Sequence, residues 1–252
     1  MTNRENIIEV KNITAQFGDD VVLNNINFNI ARGEIVVILG ESGCGKTTLM
    51  RIMTGLSKPA KGQVLINGND VSCCNTTRKI GVLFQNNALF GSMTLSENIA
   101  LPIAEYTALD NAAIQKMAGI KLAIVGLAGF EDYLPSAISG GMKKRAALAR
   151  AMALNPEILF LDEPTAGLDP VSSAEIDELI LHINRSAGTT MIVVTHELES
   201  VFTITKRVIM LDKITRGKIA EGTPEFLKNE CPYPFVRQFF NREPRVRAAA
   251  VE

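Results

Sequence analysis

The chain of 252 residues is 46% hydrophobic, enough for a sizeable core, yet it is long for one compact domain and short for two full ones. A net charge of −1 excludes the basic footprint of a nucleic-acid binder, so no nucleic-acid partner is expected. No apolar run approaches the roughly 18 residues of a membrane span, and the opening MTNRENIIEV lacks the apolar core of a signal peptide, so the sequence reads as a cytosolic chain whose Cys44, Cys73, Cys74 and Cys231 are free thiols.

In chain order, residues 7–17 (IIEVKNITAQF) and 21–30 (VVLNNINFNI) alternate apolar and polar side chains about residues 18–20, which predicts an antiparallel hairpin. Residues 34–39 (EIVVIL) form a continuous apolar run instead, as a strand buried on both faces does. Similar runs at 80–84, 158–161 and 191–195 are separated by helical patterns, so a parallel sheet with crossover helices follows. Over about 88–150 the strand pattern stops and alanine-rich helical sequence takes its place, predicting a helical subdomain inserted into one domain spanning 1–230. A strand-like piece at 218–220 and a helix opening at Thr223-Pro224 precede a tail, 231–252.

Residues 40–48 (GESGCGKTT) match the phosphate-loop pattern directly after a buried strand and before the helical stretch 47–53. Gly40, Gly43 and Gly45 free the backbone to turn its N–H groups inward, with Glu41, Ser42, Cys44 and Thr48 completing the loop; the following helix adds the positive end of its dipole. Lys46 is expected on the β- and γ-phosphates and the Thr47 hydroxyl on Mg²⁺, so ATP and Mg²⁺ are the implied cofactors. The neighbouring N–H groups and Lys46 are expected to favour the Cys44 thiolate.

Residues 158–163 (ILFLDE) end a strand in two acids, of which Asp162 suits the surroundings of Mg²⁺ and Glu163 the orientation and deprotonation of an attacking water. His196 ends the strand 191–195 and is expected to sense the γ-phosphate; His182 is expected to be an ordinary helix residue. Gln85 closes the strand 80–84 and reads either as a polar cap or as a ligand of Mg²⁺ or water. Phe17, at the hairpin bend, either stacks on an adenine ring or packs in the core. Residues 138–145 (ISGGMKKR) open another helix with small residues suited to a second phosphate, and Lys143, Lys144, Arg145 and Arg150 read mostly as a solvated helix face.

The phosphate loop, Gln85, Ser139-Gly140-Gly141, Asp162-Glu163, the stretch 166–169 (AGLD) and His196 resemble, in order and approximate spacing, the motifs of ATP-binding-cassette (ABC) ATPase subunits over about residues 7–225. That resemblance implies an α/β ABC ATPase fold: a P-loop core with a mostly parallel sheet, an N-terminal antiparallel β part and an inserted α-helical subdomain. It further implies a homodimer in which Ser139, Gly140, Gly141 and Asp169 meet the ATP held by the other subunit, working beneath two copies of a permease.

Met142 and Ile138 stand where glutamine and leucine are usual in the family. With 83–90 (LFQNNALF), 93–99 (MTLSENI), 146–151 (AALARA) and 234–240 (PFVRQFF), they resemble the Mla-type (MCE-linked) phospholipid transport ATPases. What this narrower resemblance implies is an ATPase peripheral to the cytoplasmic face of the inner membrane, with an MCE-domain protein and a small accessory regulator as further partners. The alternatives are an importer ATPase for amino acids or ions and a soluble ABC-type switch.

Ala88, Leu89, Phe90 and Met93 are expected to form an apolar groove for a permease helix. In the tail, Tyr233, Phe235, Phe239 and Phe240 must be buried by something, either the chain's own core or else the second ATPase subunit or an accessory regulator, while Arg242, Arg245 and Arg247 are placed to pair with acids on another surface.

Overall fold

The computed structural model describes residues 5–72 and 77–244, so Cys73, Cys74, Arg245 and Arg247 lie outside the described residues. The alternating N-terminal segments form β1 (Asn6–Phe17) and β2 (Asp20–Ala31), paired antiparallel with Phe17 opposite Asp20 across the turn. The chain continues through β3 (Ile35–Leu39), α1 (Lys46–Met53), β4 (Lys61–Ile66), β5 (Asn69–Asp70) and β6 (Ile80–Leu83). Three helices follow, α2 (Leu95–Tyr106), α3 (Asn111–Ile124) and α4 (Gly140–Ala151). The rest comprises β7 (Ile158–Asp162), α5 (Pro170–Ala187), β8 (Thr190–Val194), α6 (Leu198–Ile204), β9 (Val208–Leu211), β10 (Lys218–Gly222), α7 (Pro224–Asn229) and α8 (Pro234–Phe240).

Two sheets result, an antiparallel one in the order β2-β1-β4-β5 and a six-stranded one in the order β10-β9-β3-β8-β7-β6. In the second, every pairing is parallel except that of the edge strand β10 with β9. Sequence periodicity points to neither β4 nor β9. The first is short with an exposed first half, and the second is a four-residue apolar run between a helix and a loop.

Alternation of side chains about the buried strands builds two cores from the same strands. Val36, Ile38, Ile158, Phe160, Ile192 and Val194 face the antiparallel sheet and α1, while Val37, Leu39, Leu159, Leu161, Met191 and Val193 face α4, α5 and α6. Helices α2, α3 and α4 enclose a third core of their own, around Leu95, Ile99, Ile103, Leu122 and Ala146. The ends of α2 and α3 are fixed by side chains: Thr94 and Glu97 form a reciprocal capping box, and Asp110 caps Ala113.

Residues 231–240 pack on the second core. Cys231, Val236 and Phe240 are buried there, and the Phe240 ring meets Phe202 edge-on at 6.0 Å between centroids. Of the two burials considered for the aromatic tail, the chain's own core is the one observed for Phe235, Phe239 and Phe240; Tyr233 stays half exposed. Among the described residues no helix is long and apolar enough to cross a membrane.

Candidate nucleotide site

Strand order brings the motifs together. β3, β8, β7 and β6 are consecutive neighbours, with Ile38 level with Val194, Val194 with Asp162, and Leu161 with Leu83. At roughly 4.8 Å per strand, the segments that follow them deliver the loop 40–48, His196, Glu163 and Gln85 to one edge of the sheet, where ligands of open α/β sheets bind. A cleft of about 640 Å³ opens there, lined by Val22, the loop, Gln85, Glu163, His196 and, from the tail, Phe239. A larger groove of about 840 Å³ lies at the opposite strand ends, over Gly33, Arg207 and Glu221, and holds none of the motif residues.

The loop demands glycine at two points. A Cβ on Gly40 would lie 2.5 Å from the Leu211 carbonyl oxygen, and one on Gly45 would lie 2.6 Å from the Leu23 side chain, each with φ positive. Gly45 is also the N-cap of α1 and offers no side-chain acceptor, so the first N–H groups of that helix have no cap from it. Lys46 Nζ donates to the carbonyls of Gly40 at 2.8 Å and Glu41 at 3.2 Å, which folds the side chain back over the loop.

Glu163 is buried, yet its backbone sits at φ 50, a left-handed conformation unusual for glutamate. Its N–H donates to the Val194 carbonyl at 2.8 Å and its own carbonyl accepts from Lys144 Nζ at 2.9 Å. Its carboxylate lies 2.8 Å from His196 Nδ1 and accepts from the Thr195 hydroxyl at 3.2 Å. Asp162 beside it is buried, with Oδ1 lacking any protein partner. Burial and the Glu163 charge push the Asp162 carboxyl above its ordinary range, while Lys46 and Lys144 oppose the shift.

The other candidate residues lie elsewhere. Ser139, Gly140, Gly141 and Asp169 do not line this cleft. Ser139 caps α4 by accepting from the Met142 N–H, and Asp169 caps α5 by accepting from those of Val171 and Ser172. All four are at least partly exposed; a Cβ on Gly141 would meet Ser172 in the first turn of α5, and one on Gly140 would meet Leu168 just before that helix. Phe17 is 62% exposed at the hairpin tip, so it does not pack in the core, and it is not a wall of the cleft.

Three expectations need correction. The Cys44 side chain is buried behind the loop, and burial raises its thiol above the ordinary value despite Lys46, so the thiolate is not favoured. Lys144 and Arg150 are not a solvated face: Lys144 is buried, and Arg150 donates to the carbonyls of Asn87 and Ala88 at 3.0 and 2.6 Å. An apolar groove of about 550 Å³ does exist beside α2, but Phe84, Phe90, Leu101 and Tyr106 line it; of the four residues expected, only Phe90 belongs to it. Arg78 and Arg150 cover the Tyr106 and Phe90 rings at 5.6 and 5.9 Å.

Comparison with known proteins gives the family. Residues 23–166 match a family model described as ABC transporter. The chain is 40% identical over 229 residues to the intermembrane phospholipid transport system ATP-binding protein MlaF of Haemophilus influenzae, covering 88% of this chain and 86% of that protein. It is likewise 40% identical to a probable ribonucleotide transport ATP-binding protein, mkl, of Mycobacterium leprae, covering 93% of this chain and 68% of that one. A dimeric post-hydrolysis ATP-binding cassette, MJ0796, bound to ADP and Pi, superposes with a TM-score of 0.78 at 33% identity, covering 86% of this chain and 98% of that chain.

Proposed function

Because this chain belongs to the ABC transporter family as an ATP-hydrolysing subunit, we propose that it powers phospholipid transport, working as a homodimer peripheral to the cytoplasmic face of an inner membrane. The observation that carries the cargo is the likeness to MlaF along nearly the whole of both chains. A separate permease, docked at the apolar groove over Phe84, Phe90, Leu101 and Tyr106, is the membrane partner. An MCE-domain protein and a small accessory regulator complete the reading.

ATP lies in the cleft with its phosphates on the loop N–H groups and the start of α1, and Lys46 exchanges its two carbonyl contacts for the β- and γ-phosphates. Glu163 takes a proton from the water attacking in line, the bond between the γ-phosphorus and the bridging oxygen breaks, and ADP and phosphate leave. His196 and Thr195 hold the carboxylate, and Nε2 is the ring atom left for the γ-phosphate. The donors around the cleft are oxygens, from the Thr47 hydroxyl, the Gln85 amide and the unpartnered Asp162 Oδ1, and they suit a hard divalent cation. Mg²⁺ held by Thr47 and Gln85, with Asp162 behind, would neutralise charge on the transferred phosphoryl group.

Two facing subunits sandwich two nucleotides, each read by the other subunit's Ser139, Gly140, Gly141 and Asp169. A few charge-assisted hydrogen bonds of about 1.5–3 kcal/mol each suffice for the roughly 5.5 kcal/mol that reverses a two-state equilibrium from mostly open to mostly closed. Hydrolysis then reopens the dimer.

Vesicles holding this chain with the permease it co-purifies with test the cargo. A fluorescent phospholipid should move on addition of MgATP, and should stay in place with Glu163→Gln. Movement of a ribonucleotide, the cargo in the mycobacterial relative's name, would replace the phospholipid reading.

A further inference from the structure

Lys144 is a lysine with 4% of its surface exposed, in the second turn of α4. Its ammonium makes two hydrogen bonds, both to main-chain carbonyls, that of Gln85 at 2.9 Å and that of Glu163 at 2.9 Å. Burial draws the ammonium below its ordinary range, against the charges of Glu163, Asp162 and Glu197 around it. A desolvated cation is costly to keep, and this one holds together the two segments that close β6 and β7. One of its carbonyl partners belongs to the residue whose backbone is held left-handed at φ 50.

The same helix carries Ser139 at its N-cap, and the Lys143 N–H closes the first turn on the Ser139 carbonyl at 3.0 Å. Ser139 and Lys144 therefore move as one body, about 8 Å apart along the axis at the rise of an α-helix. We propose that Lys144 is a positioning residue that ties the phosphate-reading end of α4 to the base of its own subunit. Contact of Ser139-Gly140-Gly141 with the nucleotide held by a second copy of this chain then sets the placement of Glu163 and Gln85 around the nucleotide held by the first. This rests on the nucleotide-sandwich reading above. Each subunit's base is placed by a phosphate in the opposite site, which makes hydrolysis at the two sites cooperative.

The test is steady-state ATP hydrolysis by the full chain, comparing wild type, Lys144→Met, Lys144→Arg and Ser139→Arg. Lys144→Met should lower kcat at least about tenfold with KM for ATP changed less than about twofold, and should bring a Hill coefficient above 1 down to about 1. Lys144→Arg, which keeps the charge and its donors, should restore most of kcat and the cooperativity. Should Lys144→Met be insoluble, Lys144→Gln, which keeps a neutral donor, carries the same comparison. Wild-type kcat and cooperativity in the neutral variant would overturn the proposal, as would a non-cooperative wild type or a KM that rises as far as kcat falls. Normal hydrolysis by Ser139→Arg would instead sink the sandwich reading itself, whatever the Lys144 variants do.

Discussion

His196 Nδ1 stands 2.8 Å from Glu163 Oε1, so the histidine ending one strand and the acid following its neighbour form one unit at the mouth of the cleft. Glu163→Gln keeps the phosphate donors and the contact to Thr195 but removes the proton acceptor. It should bind ATP, lose about 10²–10⁴-fold in kcat, and accumulate as a nucleotide-bound dimer visible by size exclusion. Near-normal turnover would remove Glu163 from the mechanism.

Lys46→Ala should weaken nucleotide binding more than any step after it. The Lys46 ammonium rests on the Gly40 and Glu41 carbonyls, within reach of a phosphate on the same loop. Losing one or two charge-assisted bonds of about 1.5–3 kcal/mol corresponds to at least a tenfold rise in Kd, measurable by titration with a fluorescent ATP analogue. An unchanged Kd would be inconsistent with this placement.

The residues of this site that follow strands stand out in the sequence, and those on helices do not. The loop, Gln85, Glu163 and His196 were legible because each ends a strand that alternates or is continuously apolar, and the ends of adjacent strands converge. Lys144 and Arg150 were not, because a cation in a helix looks the same in one dimension whether it meets water or the carbonyls of a distant turn. The same holds for Phe239, whose place beside His196 depends on α8 folding back over the second core. Strand β9 was missed as well; four apolar residues carry too little periodicity to separate strand from helix.

Cys44 should react slowly with thiol reagents in the native protein, with or without MgATP. Its side chain is almost wholly covered and burial holds it as the thiol, so modification must wait for the loop to open. Stopped-flow labelling should give a rate far below that of the unfolded chain. Fast labelling that MgATP blocks would mean the thiol faces the cleft.

Asp177 makes stability fall as pH rises. Burial, helped by the Glu197 charge and opposed by the Ser200 hydroxyl, pushes its carboxyl from an ordinary 3.8 up to about 6, and Oδ1 has no partner. The folded state thus binds a proton more tightly than the unfolded chain, and ionisation between these two values destabilises it. Asp177→Asn should be more stable than wild type at pH 7 by an amount on the order of 2–3 kcal/mol, with the advantage vanishing below about pH 4. Urea unfolding across that range checks the sign; an advantage that grows as pH falls would contradict it.

The tail supplies the last test, since its two ends make opposite claims. Phe240 is 3% exposed and packs on the second core with Val236 and the edge of Phe202, whereas Tyr233, the N-cap at the other end of α8, is 50% exposed. Truncating a buried phenylalanine to alanine removes its transfer free energy and leaves a cavity, about 3–5 kcal/mol, while an exposed substitution stays within roughly 0.5 kcal/mol. Phe240→Ala should therefore lower the thermal midpoint sharply and Tyr233→Ala hardly at all. Removing the chain from residue 231 onward would expose the side chains under Cys231, Val236 and Phe240, and should yield insoluble protein rather than a soluble monomer. A soluble, ATP-binding truncation that fails only to dimerise would show that the tail's main contact is with another subunit instead of this core.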